Sequence, residues 1–172
     1  MDTLQAIYTR KSVKKYKSDP VPKDLLDKII EAGLCAPSGL NKQAPIIIAV
    51  SDKQVRDELS KLNAGKDPFF RADPFYGAPT VLVVLADKSV PTYLYDGSLV
   101  MENMLLAAHA LGLGACWIHR AKETFNMPEG KAILQKLGIE GDYEGIGNCI
   151  VGYADIDPDK KPRKANRVYY ID

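Results

Sequence analysis

Between Gly97 and Leu111 a helical stretch is mostly apolar, interrupted by Ser98, Glu102, Asn103 and His109: Leu99, Val100, Met101, Met104, Leu105, Leu106, Ala107, Ala108, Ala110 and Leu111 leave little of its circumference fit for water. It is shorter than the roughly 20 apolar residues that a membrane crossing needs. Such a helix belongs in the centre of a fold or at a contact between molecules, and whatever packs on it must be apolar too. PIIIAV (Pro45–Val50) and PTVLVVLA (Pro79–Ala86) meet that need. Continuous β-branched runs of this length suit strands covered on both faces.

The rest of the chain alternates in the same way. Val21–Leu34 spaces Leu25, Leu26, Ile29, Ile30 and Leu34 along one helical face, with Pro22 suited to the first turn and Pro37 stopping it. Gln54–Leu62 reads as a helix after the polar pair Ser51 and Asp52, and Pro128–Leu137 as another closed by Gly138. Ala115–Ile118 and Ile146–Val151 are further strands, and Gly112 and Gly114 end the apolar helix. The pattern predicts an α+β or α/β domain of about four strands and five helices. Asn63–Tyr76 (NAGKDPFFRADPFY) is irregular, a loop or cap whose Phe69, Phe70 and Phe75 need a surface to cover. With 172 residues and 46% hydrophobic content, one domain over residues 1–172 is expected.

The net charge of +1 hides two basic ends. Residues 10–17 (RKSVKKYK) and 160–167 (KKPRKANR) carry five cations each and no acid, leaving 13 cations against all 22 acids elsewhere. Either these are solvated tails, or two distant segments meet around one anion. A nucleic-acid surface is disfavoured because the acidic body would repel a long polyanion. Cys35, Cys116 and Cys149 are odd in number and widely spaced, which supports neither a disulfide framework nor a thiolate metal site; reduced, mostly buried thiols are expected. His109 and His119 are too few for a histidine metal site. In the apolar helix His109 reads as a hydrogen-bonded core or interface residue; His119, after a short strand, is either a site residue or a strand-end surface group. The first residues place charge after their few apolar side chains, the reverse of a secretory signal, so a cytoplasmic location is expected.

No HExxH, P-loop lysine or GxSxG motif is present, which removes the main support for zinc protease, P-loop nucleotidase and α/β-hydrolase chemistry. The segment APSGLNKQAP (Ala36–Pro45) sets Ser38, Asn41 and Gln43 between prolines. It is either an ordinary polar turn or a rigid recognition loop suited to an amide-bearing heterocycle.

Four segments in order, RKSVKKYKSDPVP (10–22), APSGLNKQAP (36–45), GLGACWI (112–118) and VGYADIDPDKKPR (151–163), resemble the FMN-dependent nitroreductases over nearly the whole chain. The resemblance implies an α+β fold with a central mixed sheet flanked by helices, and an intertwined homodimer with two FMN sites between subunits. It implies that Arg10, Lys11 and Ser12, with Lys161 and Arg163, approach the flavin phosphate, and that Lys14 lies near the pyrimidine edge of the ring. Pro37, Ser38, Gly39 and Asn41 match the loop supplied by the other subunit. Trp117, Ile118 and His119 match the segment passing the N5 side, mainly through backbone. The implied activity is hydride transfer from NAD(P)H through FMN to nitroaromatic, quinone or similar acceptors, with no obligatory acid or base side chain. Two alternatives stay open: a flavin-binding or sensory protein with little turnover, or an enzyme of this fold with other chemistry such as reductive dehalogenation. Gln43-Ala44-Pro45 departs from a QPW-like run common in the family, and the shortness of the chain implies an open pocket or one capped by Phe69, Phe70 and Phe75.

Overall fold

The computed structural model describes residues 1–65 and 73–171. Its centre is β2 (Thr80–Asp87), the all-apolar run, with both faces buried. β1 (Pro45–Val50) pairs with one edge of β2 and β4 (Tyr143–Gly152) with the other, and β3 (Gly114–Ile118) completes the order β1-β2-β4-β3. Every pairing among these strands is antiparallel. The sheet is therefore antiparallel rather than mixed as expected, since each strand pairs with neighbours running the opposite way, and the parallel contact of Ser12 with Ala115 of β3 is an isolated bridge.

Alternation along the strands splits the core in two. Val81, Val83, Leu85 and Ile150 face α3 (Lys53–Ala64), α5 (Ala121–Asn126) and α6 (Pro128–Lys136) through Leu59, Phe125 and Leu134. Leu82, Val84, Cys149 and Val151 face α2 (Lys23–Leu34) and α4 (Tyr93–Ala110) through Leu26, Ile29, Val100, Met101, Met104 and Leu105. The result is three layers, helix on sheet on helix.

Element ends differ from expectation for local reasons. α2 starts at Lys23, because Pro22 is its N-cap, with ψ 141° outside the helical region, and Val21 before it is buried. α4 starts four residues early, at Tyr93. Gly97, which looks like a boundary, lies inside it where a Cβ would collide with Ile146, the extra residue of a bulge in β4 opposite Val84 and Leu85. Gly112, at φ +80°, follows its C-cap and Leu113 N–H returns to Ala108 O, closing the helix as the glycines suggested. Two short helices were not evident from periodicity: α5 and α1 (Thr3–Thr9), whose Asp2 cap accepts from Gln5 N–H at 2.9 Å. Cys116 and Cys149 are buried as expected, but Cys35, at the C-cap of α2, is exposed. Among the described residues no helix is long and apolar enough to cross a membrane.

Candidate functional site

The basic N-terminal segment is stitched to the open edge of the sheet. Val13 N–H donates to Ala115 O at 3.1 Å, Lys17 N–H to Tyr153 O at 2.9 Å, and Tyr16 bridges Ala154. Extended backbone sends alternate side chains to opposite sides. Ser12 and Lys14 therefore enter a cleft of about 460 Å³ with Trp117, Ile118 and His119, while Lys11 and Val13 turn to a separate hollow. Five of the sequence-derived candidates thus meet in one cleft.

The floor of the cleft is the end of β3 and the turn into α5. Two buried amides that sequence reasoning passed over hold this turn: Asn63 Nδ2 donates to His119 O at 2.8 Å, and Asn148 Nδ2 lies 3.4 Å from Ile118 O and 3.5 Å from His119 O. An asparagine inside the apolar run Ile146–Val151 was the available signal, since a polar group there must find a partner. Arg120 turns the chain with φ +76°. Trp117 rests on Gly147, where a Cβ would come within 2.6 Å of its indole nitrogen, and meets His119 edge-on with ring centres 6.5 Å apart. Tyr76 and Pro74 form another wall, with the Lys14 ammonium 5.7 Å from the Tyr76 ring centre. Phe75 is 1% exposed inside the core and caps nothing; Phe69 and Phe70 lie outside the described residues. Cys116 also borders the cleft. Burial raises its thiol pKa, against the opposing effects of the Ser12 hydroxyl and the charges of Lys14 and Arg10.

The remaining candidates lie elsewhere on the chain. Arg10 Nε is 4.0 Å from Glu102 of α4, and Lys11 donates to Asp157 Oδ1 at 2.6 Å. Lys161 and Arg163 lie in the exposed segment that follows. Pro37, Ser38, Gly39 and Asn41 form a braced loop. Gly39 N–H donates at 3.0 Å to the buried Asp96 of α4, which also accepts from Thr92 Oγ1 at 2.9 Å, and a Cβ at Gly39 would strike Thr92. Ser38 Oγ accepts from Gln43 N–H at 3.0 Å. Leu40, Asn41 and Gln43 all have positive φ, a concentration of backbone strain typical of binding loops. This loop enters the sheet in the row Pro45–Ala86–Glu144, whereas Ser12 lies in the row Ala115–Val151–Thr80. Along β2 the two rows are about 20 Å apart at about 3.3 Å per residue, and they attach at opposite sheet edges. Within one chain the loop and the cleft do not meet.

A cleft at a sheet edge that joins a hydroxyl and an ammonium to aromatic walls defines a class: α+β proteins built to seat a flat group carrying negative charge. The donor set fits FMN, with cations and a hydroxyl for the anionic part and rings and backbone amides for the planar part. The nitroreductase family model matches residues 7–153. An FMN-bound nitroreductase of Bacteroides fragilis superposes with a TM-score of 0.88 over 100% of both chains at 27% identity. The NAD(P)H FMN reductase of Bacillus subtilis is 30% identical, covering 94% of this chain and 70% of the relative. The NADPH-flavin oxidoreductase of Vibrio harveyi is 28% identical with the same coverage. The chain belongs to the nitroreductase family.

Proposed function

We propose that this chain is an FMN-dependent NAD(P)H oxidoreductase that works as a homodimer and reduces nitroaromatic, quinone or similar electron-poor compounds. The observation that carries the reading is the meeting of Ser12 and Lys14 with Trp117–His119 in one cleft, on a backbone register that family membership alone does not supply. FMN, when bound, supplies a ring that accepts hydride from the nicotinamide and returns the electrons to the acceptor.

The chain binds, orients and shields. Ser12 and Arg10 hold the phosphate from one end, with Lys161 and Arg163 joining from the basic C-terminal segment, through charge-assisted hydrogen bonds. The Lys14 ammonium stabilises negative charge on the pyrimidine edge of the ring, favouring its reduced form. The turn Trp117–His119, fixed by Asn63 and Asn148, offers backbone groups rather than side chains. The strained loop Pro37–Asn41 comes from the other subunit, because in its own chain it is attached at the far edge of the sheet.

An absorbance spectrum of the purified protein tests the reading, taken before and after anaerobic NADH or NADPH addition. Oxidised-flavin bands that bleach with nicotinamide and return with a nitroaromatic or quinone are expected. A colourless protein that also fails to take up added FMN overturns it. Bound flavin that nicotinamide does not bleach overturns the enzymatic part and favours a flavin-binding protein.

A further inference from the structure

The chain from Asp73 to Ala78 is fastened to α3 by a dense set of hydrogen bonds. Asp73 accepts four hydrogen bonds: from Arg56 Nη2 and Ser60 Oγ at 2.7 Å, from Gly77 N–H at 2.7 Å, and from Phe75 N–H at 3.0 Å. Arg56 is itself buried on α3. Its Nε donates to Ala78 O at 3.0 Å, its Nη1 to Asp57 Oδ1 at 3.0 Å, and its guanidinium lies 5.5 Å from the Phe75 ring centre. The Arg56 guanidinium, taken out of water, needs this degree of saturation, which the half-buried Asp73 carboxylate helps to supply. Together they pin residues 73–78 from both ends.

Between those ends stands Tyr76, with φ +54°, a backbone conformation that a bulky side chain rarely adopts. Glycine would take it freely, and the next residue is a glycine at φ +76°. A strained aromatic held in place by an ion pair to a buried guanidinium points to a role for the ring itself. That ring lines the cleft and faces Lys14.

We propose that Tyr76 is a specificity-determining residue of the cleft: its ring is the wall against which flat aromatic acceptors stack, and the Arg56–Asp73 pair is the brace that holds it there. This rests on the FMN reading above. The brace acts through Tyr76, so Arg56 and Asp73 are positioning residues.

Four forms of the FMN-loaded protein decide it: native, Tyr76→Phe, Tyr76→Gly and Asp73→Asn. Tyr76→Gly relieves the left-handed backbone, so it removes the ring without straining the turn. The readouts are FMN affinity by fluorescence titration and the KM for a nitroaromatic, a flat quinone and ferricyanide, which needs no stacking surface. Measured with FMN saturating, Tyr76→Gly is expected to raise KM for both flat acceptors about fivefold more than KM for ferricyanide, the size of a lost aromatic contact. Tyr76→Phe restores the native KM, and Asp73→Asn reproduces the Tyr76→Gly pattern in part. Unchanged KM for the flat acceptors in Tyr76→Gly overturns this proposal and leaves the FMN reading standing. So does an equal rise for ferricyanide. A native protein that binds no FMN overturns both.

Discussion

Arg10 and Lys11 are neighbours with the same charge, yet their surroundings set them apart. Lys11 is turned away from the cleft and paired with Asp157, while Arg10 lies close enough to Cys116 to pull its thiol pKa down. Arg10→Ala should therefore weaken FMN binding about tenfold to a hundredfold, as the loss of a charged hydrogen bond does. Lys11→Ala should cost little, because an exposed ion pair contributes about 0–1 kcal/mol. Titrating both variants with FMN checks the contrast, and equal losses would restore Lys11 to the phosphate site. Gly145 is another single-residue constraint. A Cβ there would collide with the Ala121 carbonyl group and come within 2.7 Å of Lys122 N, at the start of the helix that leaves the cleft. Backbone cannot swing aside as a side chain can, so Gly145→Ala should cost about 2 kcal/mol, visible as a fall of several degrees in Tm. Sequence showed Ser12, Lys14 and Trp117–His119 as a group through resemblance. It did not show Asn63 and Asn148, whose importance lies in which distant carbonyls they reach.

A hydrogen bond between Thr9 Oγ1 and His109 Nε2, 2.7 Å apart, ties helix α1 to α4. His109 is hydrogen-bonded as expected, but it is only half-buried and lies outside the core. Burial lowers the pKa of His109 below its ordinary value of 6.5, and the charges of Arg10 and Lys11 lower it further. The unfolded chain consequently takes up a proton more readily than the folded one. The stability His109 contributes is fully present above pH 6.5 and is lost as pH falls below that value. Tm measured between pH 8 and 5 should fall more steeply below 6.5 in the native protein than in His109→Gln; parallel curves would remove His109 from the account. If the FMN phosphate lies beside Arg10 as proposed, adding FMN should offset the repulsion and flatten the native curve. Long elements such as α2, α3 and α6 could be read from periodicity to within a few residues. α1 and α5 could not, because helices this short are stabilised by the surfaces they dock on and carry too few turns to show a face.

At the scale of the whole molecule, the two parts proposed to hold the cofactor sit at opposite corners of the sheet, and α4 displays apolar residues outward. Leu94 and Leu99 are exposed, Tyr95 is 73% exposed, and Leu40 on the strained loop is 93% exposed. Apolar side chains exposed in this way on α4 and on the loop are what the proposed dimer would cover. Leu99→Glu should shift sedimentation toward monomer, with about 2 kcal/mol lost from association, and should lower FMN occupancy in parallel. A monomeric variant with full flavin content would refute the shared site. The layers themselves were legible in the chain. Thr80–Ala86 is so apolar that only burial on both faces satisfies it, and Gly97–Leu111 is apolar enough to cover one of those faces, a requirement that depends on composition and local period alone. What tertiary structure decided is which side chains share a side. Ser12 and Lys14 enter the cleft without Lys11, and Tyr76 lines it while Phe75 sinks into the core, because strand register and the Arg56–Asp73 brace are set by hydrogen bonds between residues far apart in sequence, and a one-residue change in either would reverse the faces.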